Sequence, residues 1–449
     1  MTFFSIGRVF ERDNSVLFEM PSQDGFAFYE KLSNTVHFGD SELADLQARV
    51  EAVRYRPRFE SDSLRREAEE RLESLVLNVT EGCNLACSYC IFSGNYENER
   101  IETDRDMDFD TAKKALDFFI SRSKNPAMIS FYGGEPINNM ELITRVVDYA
   151  RGFFPDKEFA FTMTSNFYNA DKFLHEIAER GIYVTISLDG PKEVHDKNRR
   201  TKNGGSTHRK ILRNIEIFEE SYPGYAESHF SYNATCENPY DLLGIIRFFN
   251  ENDRCGIVRI GNKETKGFDR NSREENSFNF SLLSQEYIAS IVSGRDPKIL
   301  RTFFDQELKR VTLRDTGVMP EELMLDGCCY PGNRKLFVDT GGAFYMCERF
   351  GGRASIGNVS SGINLDIVNN IIEEFMEIRD GSCGGCWAQR LCAPCIQSSK
   401  DPSGDISSSG MKQLCGSYKS QILVALAQNV ILSKWKGVLE KYINSIELV

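Results

Sequence analysis

Six short runs rich in β-branched and aromatic residues alternate with helical patterns, and this alternation constrains the fold more than any other feature. Strands are predicted near residues 74–80, 127–132, 158–164, 182–188, 229–235 and 256–261. Helices with apolar residues at three-to-four spacing are predicted near residues 109–122, 139–153, 171–180, 207–220 and 239–252. Such alternation is typical of βα units around a parallel sheet. The sequence therefore predicts an α/β fold with a partial (β/α)6, TIM-like barrel, which stays open because residues 262–325 resemble polar loop and helices.

Three cysteines directly follow the first predicted strand: Cys83, Cys87 and Cys90 in the run CNLACSYC. Three thiolates can bind three irons of a 4Fe–4S cluster and leave the fourth iron open for a ligand. A zinc site, a disulfide pair and buried thiols are the alternatives. Structural zinc usually has four ligands in two close pairs, and this loop has no histidine. Because active sites lie at the C-terminal ends of barrel strands, the triplet predicts a reactive iron–sulfur cluster.

The Cys-x3-Cys-x2-Cys loop resembles that of the radical S-adenosylmethionine (SAM) enzymes. In that family the open iron binds the amino and carboxylate groups of SAM, and one electron splits SAM into methionine and a 5′-deoxyadenosyl radical. The resemblance implies a catalytic role for Cys83, Cys87 and Cys90. It also implies that Tyr89 occupies the aromatic position that flanks the adenine.

Small and polar residues end the next predicted strands. Gly133-Gly134-Glu135-Pro136 resembles the family's GGEP segment, which holds the SAM amino group. Thr164-Ser165-Asn166 and Ser187-Leu188-Asp189-Gly190 offer hydroxyl, amide and carboxyl groups suited to ribose or a carboxylate. Each segment alone is equally compatible with a turn or helix cap, and Arg199 in HDKNR would meet a carboxylate or face solvent. The predicted SAM contacts are Tyr89, Gly133, Gly134, Glu135, Ser165, Asn166, Ser187, Asp189 and Arg199.

A second cysteine pattern occupies the C-terminal third and comprises Cys329, Cys347, Cys383, Cys386, Cys392, Cys395 and Cys415. Its CGGC and CAPC pairs are also compatible with zinc knuckles or redox dithiols. The ordering resembles the SPASM extension of peptide-modifying radical SAM enzymes, which carries two auxiliary 4Fe–4S clusters. That resemblance implies a first auxiliary cluster on Cys329, Cys347 and Cys395, and a second on Cys383, Cys386, Cys392 and Cys415.

Two details depart from the SPASM pattern. Only two residues separate Cys392 from Cys395, where the family usually has three. The upstream cysteine that completes the first auxiliary cluster in some members is missing from its usual position. Either Cys328 would then be the fourth ligand of that cluster, or its fourth iron would have no cysteine ligand. Cys236 and Cys255 lie on or beside strands, and core packing is the expectation for both.

The first 65 residues lack this chemistry. FSIGRVFERDNSVLFEMP alternates like a hairpin, and SELADLQARVEAV is predicted to be a helix behind a serine cap. On a SPASM enzyme this arrangement resembles a leader-peptide recognition domain, which binds peptide by strand addition; a structural cap is the alternative. The predicted domains are the N-terminal domain (1–65), the barrel (74–261), a helical linker (262–325), the SPASM domain (326–416) and an amphipathic C-terminal helix (417–449).

Charge and cysteine usage exclude several classes. A net charge of −12 argues against nonspecific nucleic-acid binding. No stretch approaches 18 uninterrupted apolar residues, and charges interrupt MTFFSIGRVFERD, so neither a membrane span nor a signal peptide is expected. Thirteen cysteines without an export signal indicate a reducing, cytoplasmic compartment in which they bind metals.

These patterns together predict a radical SAM/SPASM enzyme that cross-links a ribosomal precursor peptide through a thioether or carbon–carbon bond. The resemblance implies SAM, three 4Fe–4S clusters, auxiliary clusters that take up an electron, and an external donor such as flavodoxin or ferredoxin. Anaerobic sulfatase maturation, which makes formylglycine, and peptide epimerisation, which needs no net oxidation, are alternatives within this chemistry. A non-catalytic iron–sulfur electron carrier is the alternative from another class, although a carrier has no use for the GGEP, TSN and SLDG segments.

Overall fold

The computed structural model describes residues 4–39, 43, 45, 47, 50, 72–94, 100–236, 239–252, 258–262, 273–319, 334–350, 355–401 and 405–446. The chain divides into two compact units. The terminal unit contains residues 1–59, 269–328 and 374–449, and the barrel unit contains residues 60–268 and 329–373. The five domain boundaries expected from the sequence remain predictions.

A four-stranded antiparallel meander begins the terminal unit. Its strands are β1 (Val9–Arg12), β2 (Ser15–Met20), β3 (Gly25–Glu30) and β4 (Thr35–Gly39), which lie in chain order. The predicted hairpin is therefore present as β1 and β2, which join through a tight turn with Asn14 at positive φ. Most of the predicted helix in residues 41–53 lies outside the described residues.

Among the described residues, the barrel unit contains the six predicted strands, which pair in parallel. They are β5 (Leu72–Thr80), β6 (Ser123–Gly133), β7 (Phe159–Ser165), β8 (Tyr183–Ser187), β9 (Phe230–Cys236) and β10 (Val258–Asn262). Their spatial order is β10-β9-β8-β7-β6-β5, so each strand pairs with its neighbour in the chain. This sequential parallel pairing confirms the predicted α/β fold with a partial barrel.

Helices follow most of these strands. They are α1 (Phe109–Ile120), α2 (Met140–Phe153), α3 (Leu174–Glu179), α4 (Lys192–Asn198), α5 (His208–Ser221), α6 (Tyr225–His229) and α7 (Pro239–Glu251). The side chain of Asp108 caps α1 by accepting a hydrogen bond from the Thr111 amide at 2.7 Å. The segment of α4, which carries the HDKN run, was not predicted to be helical.

The two faces of the parallel sheet differ in polarity. One face carries fully buried apolar side chains such as Leu77 and Ile129, and helices α2 and α7 cover it through Arg151 against Phe161 and Phe249 against Tyr232. The opposite face is polar, with hydrogen bonds that join hydroxyl groups on adjacent strands: Ser130 to Thr162 at 2.7 Å and Thr185 to Ser231 at 2.9 Å. A polar inner face suits a polar ligand inside the barrel.

Four further strands extend the sheet beyond β5 and were not predicted. They are β11 (Lys335–Val338), β12 (Ala343–Tyr345), β13 (Gly357–Asn358) and β14 (Gly362–Ile363). β11 pairs parallel to β5, and β12 to β14 continue antiparallel. The Gly341-Gly342 turn between two β-rich runs was a hairpin signal for β11 and β12.

The remaining helices are α8 (Arg273–Val292), α9 (Arg301–Thr312), α10 (Leu365–Cys383), α11 (Ser408–Leu432) and α12 (Lys436–Asn444). Among the described residues, Ser408–Asn444 is long and apolar enough to cross a membrane, but 56% of its most apolar window is buried. On α11, Gln428 and Asn429 donate to Ser284 and Thr312 at 2.8 and 3.0 Å. Such contacts are typical of a helix in the core of a globular unit.

Candidate active site

The cysteine triplet lies in the loop that follows β5. All three cysteines are partly buried. The amide of Leu85 donates to Cys83 Sγ and that of Phe92 donates to Cys90 Sγ, both at 3.4 Å. Backbone N–H groups that point at cysteine sulfur are one of the features that tune iron–sulfur clusters. The loop is therefore preformed around its thiols.

The donor set fits a 4Fe–4S cluster. Burial raises the pKa of the Cys87 thiol to about 11 and also raises the pKa values of Cys83 and Cys90. Thiols of this kind are protonated at neutral pH, so bound iron is what would hold them as thiolates. No group of three described His, Cys, Asp or Glu residues could hold a single ion. A cube does not need such a group, because each cysteine binds a different iron.

The GGEP segment packs directly against the cysteine loop. The amide of Gly134 donates to Thr80 O at 2.8 Å, and that of Glu135 donates to Gly82 O at 2.9 Å. A Cβ added to Gly133 would lie 2.2 Å from Thr80 O, and one added to Gly134 would lie 2.3 Å from Gly82 O. The absence of side chains at these two glycines therefore makes room for the backbone of the cysteine loop.

Glu135 links the GGEP segment to the end of β7. Its buried carboxylate accepts hydrogen bonds from Ser165 Oγ and the Asn166 amide, both at 2.7 Å. Burial raises the pKa of Glu135 to about 7, against the opposing effect of these hydrogen bonds. Asn166 Nδ2 donates to Asn84 Oδ1 at 2.9 Å, beside Cys83. Three of the predicted SAM contacts are therefore joined in one network next to the cysteine loop.

Three other predicted residues form a buried cluster after β8. The carboxylate of Asp189 accepts from Tyr89 Oη at 2.5 Å and from Arg199 Nε at 3.1 Å. The guanidinium of Arg199 also lies over the Tyr89 ring and 4.0 Å from Cys87 Sγ. Burial opposes the charge of Arg199, but Asp189, Tyr89 and Cys87 together raise its pKa above the ordinary value. These three residues place the buried, positively charged guanidinium of Arg199 next to the cysteine loop.

The position of Arg199 is set by backbone and side-chain contacts around it. The amide of Ala86 donates to Arg200 O at 2.8 Å, and Ser88 Oγ donates to Asn198 Oδ1 at 2.7 Å. These contacts bracket Arg199 on both sides. The HDKNR run therefore packs against the cysteine loop. The sequence did not reveal this contact.

His195 fixes the backbone of Asp189 through a hydrogen bond. Its Nδ1 accepts from the Asp189 amide at 3.2 Å, which leaves Nε2 to donate to Thr207 Oγ1 at 3.0 Å. Thr207 Oγ1 in turn donates to Arg199 O at 2.7 Å. Burial lowers the pKa of His195 to about 3, so the ring is neutral. Sequence reasoning missed Thr207, which has no signal of its own in the sequence.

Two further polar residues lie on the inner face of the sheet. Ser187 is buried at the end of β8, where it pairs in register with Asn233. Asn78 on β5 was missed, although it is fully buried and neither polar atom of its side-chain amide has a hydrogen-bond partner in the part of the chain that the structure describes. An amide in this state next to the cysteine loop is available to a polar ligand.

The second cysteine set contributes four thiols that line one cleft in the terminal unit: Cys383, Cys386, Cys392 and Cys415. Burial raises the pKa values of Cys383 and Cys392 to about 12. A redox dithiol needs a lowered pKa, so these values argue against that alternative. Four thiols around one cleft fit a fully ligated 4Fe–4S cluster.

The predicted ligands of the first auxiliary cluster belong to both units. Cys347 is partly buried in the barrel unit after β12, and Cys395 is partly buried in the terminal unit. Cys328, Cys329 and Cys255 lie outside the described residues. Cys236 is buried on β9, as expected for a core cysteine.

Residues 77–238 match the model of the Radical SAM superfamily. An uncharacterized protein of Methanocaldococcus jannaschii is 35% identical over 150 residues, which are 33% of this chain and about half (49%) of that protein. A cysteine-type anaerobic sulfatase-maturating enzyme of Clostridium perfringens (strain 13 / Type A) is 23% identical over 368 residues, which are 78% of this chain and 94% of that enzyme.

Solved structures share the fold. Native anSMEcpe with bound AdoMet gives a TM-score of 0.63 at 19% identity, covering 83% of this chain and 100% of that chain. Native anSMEcpe with bound AdoMet and Cp18Cys peptide gives a TM-score of 0.58 at 19% identity, covering 79% of this chain and 99% of that chain.

The predicted resemblance to radical SAM enzymes is thereby confirmed, and the enzymes of that superfamily use SAM and a 4Fe–4S cluster. Residues 77–238 form the radical SAM domain of a radical SAM superfamily enzyme.

Proposed function

We propose that this enzyme introduces a thioether or carbon–carbon cross-link into a ribosomal precursor peptide. The observation that carries the proposal is the convergence of two side-chain networks on the cysteine loop: Glu135 with Ser165 and Asn166, and Asp189 with Tyr89 and Arg199. When bound, a cluster on Cys83, Cys87 and Cys90 together with SAM would supply the 5′-deoxyadenosyl radical that takes hydrogen from a substrate carbon.

Each network has a role in holding SAM. The Arg199 guanidinium lies next to Cys87 and suits the SAM carboxylate. Tyr89 is fixed by Asp189 and suits the flanking position beside the adenine. The GGEP backbone, Asn166 and Ser187 lie at the ends of neighbouring parallel strands, where hydroxyl and amide groups suit the SAM amino group and ribose.

Two observations support a peptide substrate. A protein with the same fold has been solved with bound Cp18Cys peptide, and the inner face of this sheet is polar. Strand β1 supports leader recognition by residues 1–65, because it is an edge strand whose four residues are exposed. An exposed edge presents unpaired backbone groups to which an extended peptide can add.

The two auxiliary clusters belong to the same proposal. The four thiols in the terminal-unit cleft would hold the second cluster, and Cys329, Cys347 and Cys395, with Cys328 or an open iron, would hold the first. Cross-linking removes two hydrogens from the peptide, so one electron remains after the first hydrogen atom has left. When bound, the auxiliary clusters would supply a place for that electron. We expect an external donor such as flavodoxin or ferredoxin, and a cytoplasmic setting.

Formylglycine formation on a sulfatase is the second candidate. It is favoured by the alignment with the Clostridium perfringens maturase, which extends over 94% of that enzyme. The two reactions differ in their products. A thioether replaces an S–H and a C–H bond by one S–C bond, whereas formylglycine is an aldehyde that has lost the cysteine sulfur.

The test is anaerobic incubation of the reduced, reconstituted enzyme with SAM and candidate peptides. We expect release of 5′-deoxyadenosine and, with the correct precursor, a peptide that has lost two hydrogens. A thioether product no longer reacts with thiol reagents at the linked cysteine, whereas a carbon–carbon product keeps its thiols. An aldehyde-reactive product from a sulfatase peptide would select the second candidate. The Cys87→Ala variant is the control, and it should release no 5′-deoxyadenosine. A wild-type enzyme that keeps its clusters yet cleaves no SAM would favour an electron carrier.

A further inference from the structure

A buried lysine next to the N-terminal sheet contacts the segments that carry the cysteines of the terminal-unit cleft. Lys31 follows β3 and is fully buried. Its Nζ donates to Gly384 O at 2.8 Å and to Gln389 Oε1 at 3.0 Å. Gly384 lies between Cys383 and Cys386 in the chain, and Gln389 lies between Cys386 and Cys392. One ammonium group therefore ties together two segments that carry three of the four thiols.

The turns of the sheet add backbone contacts to the same segment. The amide of Asn14 donates to Gly385 O at 2.9 Å, and the carboxylate of Asp13 lies 3.1 Å from the position that a Cβ on Gly385 would occupy. In a reciprocal contact, Arg390 Nη1 on the cysteine-bearing segment donates to the backbone oxygen of Lys31 at 3.3 Å. The CGGC loop is therefore held by the turn between β1 and β2 and by the turn between β3 and β4.

Among the described residues, the two hydrogen-bond acceptors of the Lys31 ammonium group are a carbonyl and an amide oxygen, and neither is an anion. A buried ammonium is costly unless an anion balances it. The acidic groups that act on it electrostatically are Cys386, Asp13 and Cys383. A cluster with four thiolate ligands is anionic and becomes more negative when it is reduced, so it is the balancing charge that this position suits.

The two other cations at the cleft differ from Lys31. Lys419 forms an ion pair with Glu11, which offsets its charge. Arg379 is buried and donates to Gln389 O and Cys392 O at 3.3 and 3.2 Å, so it holds the second half of the loop. Lys31 and Arg379 both donate to neutral oxygens among the described residues, and Lys31 is the one that comes from the N-terminal sheet.

We propose that the N-terminal sheet is a structural part of the second auxiliary cluster site, and that Lys31 is a positioning residue that holds the CGGC loop and raises the cluster's reduction potential. The proposal rests on the second auxiliary cluster of the proposed function. It gives residues 1–39 a role that does not depend on leader binding. The physical reason is that a fixed positive charge stabilises the reduced, more negative cluster more than the oxidised one.

The test uses the full chain with Cys83, Cys87 and Cys90 changed to Ala, so that only auxiliary clusters remain. The signal that disappears on adding Cys383→Ala and Cys386→Ala identifies the second cluster. Its midpoint potential is then measured by a redox titration followed by electron paramagnetic resonance in Lys31→Met and Lys31→Arg. Lys434→Met is the matched control, because Lys434 is an exposed lysine that hydrogen-bonds to Gln23 next to the same sheet.

We expect Lys31→Met to shift the midpoint potential to a lower value. Lys31→Arg, which keeps the positive charge, should have a midpoint close to that of the wild type, and Lys434→Met should leave the midpoint unchanged. An unchanged midpoint in Lys31→Met, with its iron retained, would overturn the proposal. If Lys31→Met loses this cluster, the midpoint potential is measured in Lys31→Gln, which keeps a hydrogen-bond donor without the charge. A wild-type midpoint in Lys31→Gln would also overturn the proposal. Failure of the background protein to bind auxiliary iron at all would instead refute the proposed second cluster.

Discussion

At the residue scale, Asp189 provides the buried negative charge that pairs with Arg199. It is fully buried and receives hydrogen bonds from Tyr89, from Arg199 and from the Thr235 amide at 2.8 Å. Removing its charge would leave the Arg199 guanidinium buried without a counter-ion. Breaking a buried pair in this way costs about 3–5 kcal/mol.

We therefore expect Asp189→Asn to lower the free energy of unfolding by about 3–5 kcal/mol and to abolish SAM cleavage, as measured by denaturant titration and 5′-deoxyadenosine release. The matched control is Asp110→Asn, which removes an acid from an exposed ion pair with Lys114 and should change stability little. Equal stability losses in the two variants would contradict the role given to Asp189.

His195 gives the site a pH dependence with a defined sign. Its folded pKa is about 3, below the ordinary 6.5, so only the unfolded chain takes up this proton as the pH falls from about 6.5 towards 3. Stability that is present above pH 6.5 is therefore lost on acidification, at up to ~1.4 kcal/mol per pH unit.

The expected result is a steeper loss of stability between pH ~7.5 and ~5 in the wild type than in His195→Gln, which can accept and donate hydrogen bonds without titrating. Denaturant midpoints at several pH values measure the difference. Comparison with the wild type cancels the opposite contribution of Glu135, whose folded pKa is raised to about 7. Parallel pH profiles in the two proteins would show that His195 is not held neutral.

At the element scale, the site depends on how closely the ends of β5 and β6 approach. Gly133 has φ +152°, and its added Cβ would meet the Thr80 carbonyl of the neighbouring strand. We expect Gly133→Ala to cost about 1–3 kcal/mol and to displace the GGEP segment from the cysteine loop. Iron content and SAM binding by the purified protein should both fall.

Gly204→Ala separates this steric effect from backbone strain. Gly204 also has positive φ, +79°, but no atom lies within 4 Å of its added Cβ. Its variant should keep iron and SAM binding, since only conformational strain is introduced. If both variants lose iron equally, the close approach of β6 to the loop is not what holds the site together.

The strands also show which elements a sequence can reveal. Strands β5 to β10 and the long helices between them have local signals, namely apolar periodicity and turn residues, and they were predicted within a few residues. Strands β11 to β14 are two to four residues long, and β11 gains its pairing from β5, more than 250 residues earlier in the chain. Short strands that depend on a distant partner carry little local pattern.

At the scale of the whole molecule, the same division applies to the site. The cysteine ligands were predictable because their spacing within one loop is itself the chemical requirement. The contacts of Asp189 with Tyr89, of His195 with Thr207, and of Lys31 with Gly384 join segments that are up to 353 residues apart. Such contacts exist only in the folded chain, so no spacing in the sequence encodes them.

The two compact units lead to the last prediction, which concerns how iron is distributed. Cys83, Cys87 and Cys90 belong to the barrel unit, whereas Cys383, Cys386, Cys392 and Cys415 belong to the terminal unit. We expect the protein to bind about twelve irons, and the variant with Cys383, Cys386, Cys392 and Cys415 changed to Ala to lose about four of them. Because the SAM-binding residues are untouched, this variant should still release 5′-deoxyadenosine from SAM without turning over peptide. Iron analysis and chromatography of the SAM products measure both quantities, and the Cys83→Ala, Cys87→Ala, Cys90→Ala protein is the reciprocal control, with the same loss of iron but no SAM cleavage. Loss of all iron from either variant would mean that the two sets of thiols do not assemble independently.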